Sequence, residues 1–231
     1  MSEIDSLRAA VRQMSPPDPI PPADEVFPTV HLRSCAAAAE RGAVEELGAL
    51  VRQGANLDEE APNGVTLLIY EIAKKNDVAV RALLAAGANP NALTKTGLSP
   101  MQAAAASSTS TSLETLLDRG GDPNLKNLHG EPLLHQAIHA MRMNNVHVLV
   151  QRGADIEATD RSGRTTLLKL AYLHRYDEVL RLLDAGAKPF VRDSTGRDLK
   201  ALASMPVPNK KSEAEASRLE VLARLGGTVD G

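Results

Sequence analysis

The sequence predicts an all-α fold, a stack of one repeated helix–turn–helix–loop unit, and three observations predict it. Gly54, Gly87, Gly120, Gly153 and Gly186 are each 33 residues apart, and Gly64, Gly97, Gly130, Gly163 and Gly196 keep the same interval. A strict period in that range marks stacked copies of one supersecondary unit rather than a single globular core. Within each period, apolar residues recur at helical spacing in two runs separated by a short turn. Finally, 43% of the 231 residues are hydrophobic but only 2% are aromatic, with no Trp. The core must be built from Ala, Leu, Val and Ile, whose small side chains suit closely stacked helices.

The elements follow in order. Ser6 to Met14 reads as one short helix. Residues 15–22, Ser-Pro-Pro-Asp-Pro-Ile-Pro-Pro, cannot be helical and are expected to run extended. This arm over 1–29 either caps the stack or is offered to a partner; packing or disorder is the plainer reading. The first unit has an Ala-rich helix around Cys35–Ala39 and closes in Leu50-Val51-Arg52-Gln53-Gly54. In the second, Thr66 stands where it can cap a helix, Leu68, Ile72 and Ala73 share a face, and Val80, Leu83 and Leu84 mark the second helix. Gly87 ends that helix where a left-handed residue carries no steric cost. The third unit opens at Ser99-Pro100, with proline at a first helical position. The fourth opens at Pro132-Leu133-Leu134-His135, and the fifth at Thr165-Thr166-Leu167-Leu168. The expected bounds are 31–62, 63–95, 96–128, 129–161 and 162–194. A sixth, unlike unit over 195–231 begins at Asp198, is interrupted near Met205-Pro206-Val207-Pro208, and resumes at Val221-Leu222-Ala223-Arg224-Leu225-Gly226. It reads as a C-terminal cap with a loop inserted between its helices, since terminal repeats are atypical.

These residues resemble the ankyrin repeat, whose pattern runs Gly-x-Thr-Pro-Leu-His-x-Ala-Ala through Leu-Leu-x-x-Gly-Ala-Asp-x-Asn. The likeness covers residues 31–200. It implies antiparallel helix pairs in a curved ankyrin-repeat solenoid, with loops projecting as hairpin fingers. The chain departs from the pattern between the two helices, where the family's glycine survives only as Gly42. Lys75, Ser108, Met141 and His174 replace it, each expected to weaken local capping by ~1 kcal/mol. The opening histidine is kept only at His135, where the resemblance implies a hydrogen bond to the loop.

Chemistry is sparse. The net charge of −3 argues against a partner bound by neutralising phosphates, so no nucleic acid is expected. The single Cys35 permits no intramolecular disulfide, which suits a reducing, cytoplasmic setting. There, in an Ala-rich helix, it reads as a small buried hydrophobe rather than a nucleophile. No run approaches the roughly 20 apolar residues of a membrane span. His135 and His139 lie at i and i+4, a spacing that can place two imidazoles on one metal. Gln136 stands where a zinc protease needs Glu, and no third ligand is apparent. Residues 107–112, Ser-Ser-Thr-Ser-Thr-Ser, resemble a phosphorylation target by composition. They read more simply as a polar turn, with Thr111 and Glu114 placed for a capping box. The chain carries no phosphate loop or nucleophile elbow. No catalytic, cofactor-binding or metal residue is therefore predicted, and no cofactor.

A stack's loops and inner side form its contact surface. Carried onto this chain, the resemblance implies partner-binding residues at the finger tips and at the end of each first helix. In the second unit these are Asn63, Val65 and Lys74; in the third Lys95, Thr96, Leu98 and Ser107. In the fourth they are Leu128, His129, Glu131 and His139; in the fifth Arg161, Ser162, Arg164 and Tyr172. Tyr172 stands out in a chain with three tyrosines, because tyrosine and arginine are favoured as interface anchors. Charge is uneven: Asp58, Glu59 and Glu60 load the first finger, while Arg161, Arg164, Arg175, Arg192 and Arg197 load the last units. The expected function is non-catalytic binding of a protein partner, by a chain monomeric alone, that inhibits or scaffolds it. The alternative is a bacterial immunity protein that neutralises a toxin. An enzyme or a metal- or ligand-binding protein is the rival class.

Overall fold

In a computed structural model, described over residues 20–205 and 213–226, helix–turn–helix repeats. Thirteen helices lie among the described residues, with one isolated antiparallel bridge between Lys126 and Pro132. The expected helix over Ser6–Met14 and the inserted loop over 206–212 lie outside the described residues. The chain divides into two compact units, Met1–Leu125 and Lys126–Gly231.

The first unit holds α1 (Ala23–Val26), α2 (Val30–Glu40), α3 (Val44–Arg52), α4 (Leu67–Lys74), α5 (Asp77–Ala85), α6 (Pro100–Ala105) and α7 (Thr111–Asp118). Thr29, Thr66 and Ser99 cap α2, α4 and α6 through side-chain oxygens that accept the N–H three residues on. Gln102 completes a capping box at Ser99, its Oε1 accepting the Ser99 N–H at 2.7 Å. At α7 the expected box is absent. Ser110 is the N-cap without a side-chain bond, and Thr111 is already helical. The core is aliphatic, with Leu32, Leu47, Leu67, Leu68, Leu83, Met101, Leu113 and Leu116 all fully buried. Each such side chain contributes about 1.5–3 kcal/mol. Phe27 meets the Tyr70 ring edge-on at 5.3 Å, and the Tyr70 hydroxyl donates to Pro21 O at 2.7 Å.

The second unit holds α8 (Leu133–His139), α9 (Met143–Gln151), α10 (Thr166–Tyr172), α11 (Tyr176–Asp184), α12 (Leu199–Ala203) and α13 (Glu213–Arg224). Helices α8, α10 and α12 pack in sequence, and α9, α11 and α13 back them. Here Asp198 caps α12, its Oδ1 accepting the Ala201 N–H at 3.0 Å. Buried Arg218 on α13 pairs with Glu215 at 2.7 Å and donates to Ala203 O, tying the last helix pair together.

Between paired helices, three of the four non-glycine replacements adopt the left-handed conformation anyway: Lys75 at φ 58°, Met141 at 56° and His174 at 54°, beside Gly42 at 69°. Ser108 does not. After α6, only six residues long, the chain makes a longer turn that avoids that conformation. The glycines that end second helices, Gly87 at φ 102° among them, take the left-handed conformation expected of them, and those of the fingers, such as Gly97 at 81°, take a positive φ as well.

Adjacent loops are stitched at fixed register. Asp58 Oδ1 accepts the N–H of Asn89 at 3.0 Å, Asn91 Oδ1 that of Asp122 at 2.8 Å, and Glu157 Oε1 that of Lys188 at 2.8 Å. In each pair the donor lies 31 residues after the acceptor. Phe190 occupies the next position of that series and is 65% exposed.

Candidate functional site

Each finger turns on the same corner. The N–H of Ala61, Thr94, Asn127, Asp160 or Asp193 donates to the carbonyl four residues on, at 2.9–3.1 Å. Four of these five residues carry an acceptor that gathers the turn's other N–H groups. Thr94 Oγ1 takes Leu98 N at 3.0 Å, and Asn127 Oδ1 takes His129 N and Glu131 N at 3.0 and 2.9 Å. Asp160 Oδ1 takes Ser162 N and Arg164 N at 2.8 and 3.1 Å. Asp193 Oδ1 takes Thr195 N and Arg197 N at 2.8 and 3.1 Å, with the Thr195 hydroxyl at 2.6 Å. Alanine at 61 has no such group, and Asn63 Oδ1 accepts Val65 N instead. The corner aims the tip residues. A polar residue three before each finger glycine from Gly97 onward was its sequence signal, and the period alone could have exposed it.

In the first unit the expected contact residues divide. Asn63, Lys95 and Thr96 are exposed at finger tips, and Ser107 is half-buried after α6. The Thr96 methyl closes against Gly64, where a Cβ would come within 3.0 Å of it. Val65 and Leu98 do not belong to the surface. Both are 6% exposed, lying under the corner rather than at its tip, whereas Arg164 and Arg197 at the same register keep their side chains in reach of water. Lys74 ends α4 in an ion pair with Glu40, 5.0 Å above the Tyr70 ring. Beside it lies a groove of about 510 Å3 lined by Ile20, Ala23, Ala37, Tyr70 and Lys74. Just below, Glu71 is fully buried with neither carboxylate oxygen hydrogen-bonded. Burial pushes its carboxyl up to about 7; the Lys74 ammonium 3.8 Å away opposes the rise and Glu40 adds to it. The acidic first finger is also less open than its composition implied. Asp58 holds the Asn89 N–H and Glu60 the Lys95 N–H at 2.9 Å, which leaves Glu59 facing water.

The second unit gathers its candidates into one connected surface. Lys169 on α10, only 6% exposed at its side chain, donates to Glu131 Oε1 at 2.6 Å and to His139 Nε2 at 2.8 Å. It also lies 3.5 Å from Asp160 Oδ2. An ammonium only donates, so Nε2 accepts, and neutral His139 carries its proton on Nδ1, 3.4 Å from Glu131 Oε1. Burial, then the nearby ammonium, lowers the imidazole pKa. A cation therefore stands where a metal on His139 Nε2 would sit. His135, fully buried, meets no protein hydrogen-bond partner at either ring nitrogen. The loop bond expected of it is absent, and burial followed by the Lys169 charge lowers its pKa to about 3. Glu131 and His139 are thus part of an internal network more than of a free tip.

Beyond it, Arg164 Nε holds Asp160 Oδ2 at 3.0 Å and its guanidinium sits 5.9 Å from the Tyr172 ring centre. The Tyr172 hydroxyl donates to Asp193 Oδ2 at 2.6 Å. Burial acts to raise the Asp193 pKa, but bonds from Thr195, Tyr172 and the backbone outweigh it and hold the carboxyl well below the usual range. The next finger joins on, Ser194 N donating to Ser162 O at 2.8 Å. Arg161 is exposed and Ser162 half-buried beside it. Leu128 at 54% and Leu173 at 45% remain open, and His129 is exposed at its tip. Asp160, Lys169 and Asp193, which hold this surface, were not singled out from the sequence. Cys35 is fully buried, with its thiol pKa raised by burial.

A family model described as ankyrin repeats (3 copies) matches residues 35–127 and 101–193. Among solved structures, the ankyrin repeat domain of Bcl-3, described as a unique member of the IkappaB protein family, is 27% identical at a TM-score of 0.70. That match covers 84% of this chain and 86% of that one. The ankyrin repeat protein EF0377 is 22% identical at a TM-score of 0.67, over 85% of this chain and 99% of that one. No curated protein matches the chain. No helix among the described residues is long and apolar enough to cross a membrane.

Proposed function

The chain belongs to the ankyrin-repeat family, whose members are in general protein–protein interaction modules, and from that premise we propose that it binds a protein partner through finger tips and first-helix ends and acts on it sterically. The observation that carries this reading is the second unit's surface around Tyr172. Its ring is held by Arg164 and its hydroxyl by Asp193, so an anchor aromatic is ordered before any partner arrives. Prior order lowers the entropy lost on association. Exposed Leu128 and Leu173 add apolar area to the same unit. Covering a partner's working surface would inhibit it; holding two partners would scaffold them.

A photoreactive side chain at position 172 tests the reading, with Asn144 on α9 as the control position. Crosslinking in the native host to a protein that then binds the purified chain directly, with affinity lost in Tyr172→Ala or Leu173→Ser, is expected. Crosslinks confined to position 144, or a chemical turnover abolished by changing Lys169 or His139, would overturn it.

A further inference from the structure

The tips of the second unit present cations and conceal carboxylates. Asp160 has 9% of its side chain exposed, with both oxygens engaged by the finger's own N–H groups and by Arg164. Asp193 is buried beneath Thr195, Arg197 N–H and the Tyr172 hydroxyl. Asp198 accepts the Ala201 N–H and pairs with Arg192 at 3.3 Å. The arginines point the other way. Arg161 and Arg197 are exposed and meet no carboxylate among the described residues. Arg192 keeps 68% of its side chain in water despite its pair, and Arg164 keeps 38%. The Ser194–Ser162 bond joins the two fingers that carry all four.

We propose that this arginine face takes an acidic segment of the partner protein, with Asp or Glu side chains received by Arg161, Arg164, Arg192 and Arg197. The inference rests on the binding reading above and names the partner's chemistry. A guanidinium is a planar fork whose paired N–H groups match both oxygens of a carboxylate. Four of them on two joined fingers make a positive field on a chain whose net charge is −3, so the charge is local and directional. Phosphate oxygens offer the same geometry, but the surface fits nucleic acid poorly. The Tyr172 ring lies beneath Arg164 with its hydroxyl taken, so among the described residues Phe190 alone offers an open ring beside the arginines, where single-strand binders stack successive bases on several.

The test uses the purified full chain and three fluorescent probes at low salt: a peptide of alternating Glu and Leu, its Gln–Leu counterpart, and a single-stranded oligonucleotide of equal charge. The Glu–Leu peptide is expected to bind, to shift the arginine Nε–H signals of the four residues by NMR, and to weaken as salt rises. Arg161→Glu and Arg197→Glu should each lower its affinity by about tenfold or more without moving Tm. Equal binding of the Gln–Leu peptide, tighter binding of the oligonucleotide, or unchanged affinity in both variants would overturn the proposal. The probes need no native partner, so the two readings fail separately. A protein crosslinked at position 172 whose affinity ignores both charge reversals removes the acidic segment and leaves the binding surface standing.

Discussion

Tyr172 reaches across one repeat to Asp193: its hydroxyl donates to Oδ2 at 2.6 Å while Oδ1 gathers the next finger's turn. One carboxylate thus ties the end of α10 to the corner of the following loop. Tyr172→Phe removes one donor of several and should cost about 1 kcal/mol in urea unfolding. A depressed carboxyl stabilises the fold above the ordinary aspartate pKa of about 3.9, and that contribution is lost as pH falls through the range below it. Because the bonds hold the folded carboxyl well below that value, the difference between Tyr172→Phe and its parent should persist from pH 7 down to pH 4; no measurable difference at pH 7 would refute the role given to the bond.

Lys169 is the hub of the network with Glu131, His139 and Asp160. Lys169→Met should destabilise by about 2–4 kcal/mol, because it leaves two little-exposed carboxylates without their shared cation. A double-mutant cycle with Glu131→Gln should give a coupling above about 1 kcal/mol. Additive effects would mean the two side chains merely lie near each other.

His135 is neutral in the folded chain, its pKa lowered to about 3 by burial and then by Lys169. The unfolded chain takes up a proton below about pH 6.5, so stability is present above that value and drains away as the medium is acidified toward pH 3. His135→Leu removes this term. Thermal melts of the variant should be flatter between pH 6.5 and 4 than those of the parent, and parallel curves would count against it.

Glu71 behaves in the opposite sense. Its folded pKa is raised to about 7, so the protonated form suits the fold. Stability is full below the ordinary glutamate pKa of about 4.3 and falls as pH rises to 7. Glu71→Gln should stabilise by about 1–2 kcal/mol at pH 8 and by little at pH 4.5. Equal shifts in Tm at both values would show that charge at this position is not the cause.

The left-handed turns between helices offer a backbone test. Met141 and His174 hold φ 56° and 54°, which glycine adopts without strain. Met141→Gly and His174→Gly should each stabilise by about 0.5–1 kcal/mol. Ser108→Gly should not, since Ser108 avoids that conformation. Chemical denaturation of the three variants checks the contrast.

The period carried the fold. Gly87 and Gly97 stand at conformations that few other residues take, so their spacing could be read directly, as could the caps at Thr66 and Ser99. Thr111 was misread because a capping box depends on where the helix starts, and the longer turn after α6 moved that start. Val65 and Leu98 were misplaced because a tip position and a corner position differ by one residue in a bend that has no period of its own. Lys169 was invisible for another reason. Its partners lie 30 and 38 residues away, and a lysine inside a helix looks the same in sequence whether it meets water or two neighbours. His135 kept the family's residue without the family's bond, which only the packed structure could show.

Phe190 has a consequence for length. Asp58, Asn91 and Glu157 each hand an oxygen forward to a later loop, so every such junction joins an acceptor to a donor. A phenyl ring has no lone pair to hand on. The helix pair α12–α13 that follows therefore docks on α10 and α11 without such a stitch, and a full repeat set in its place would need Phe190→Asn to regain one.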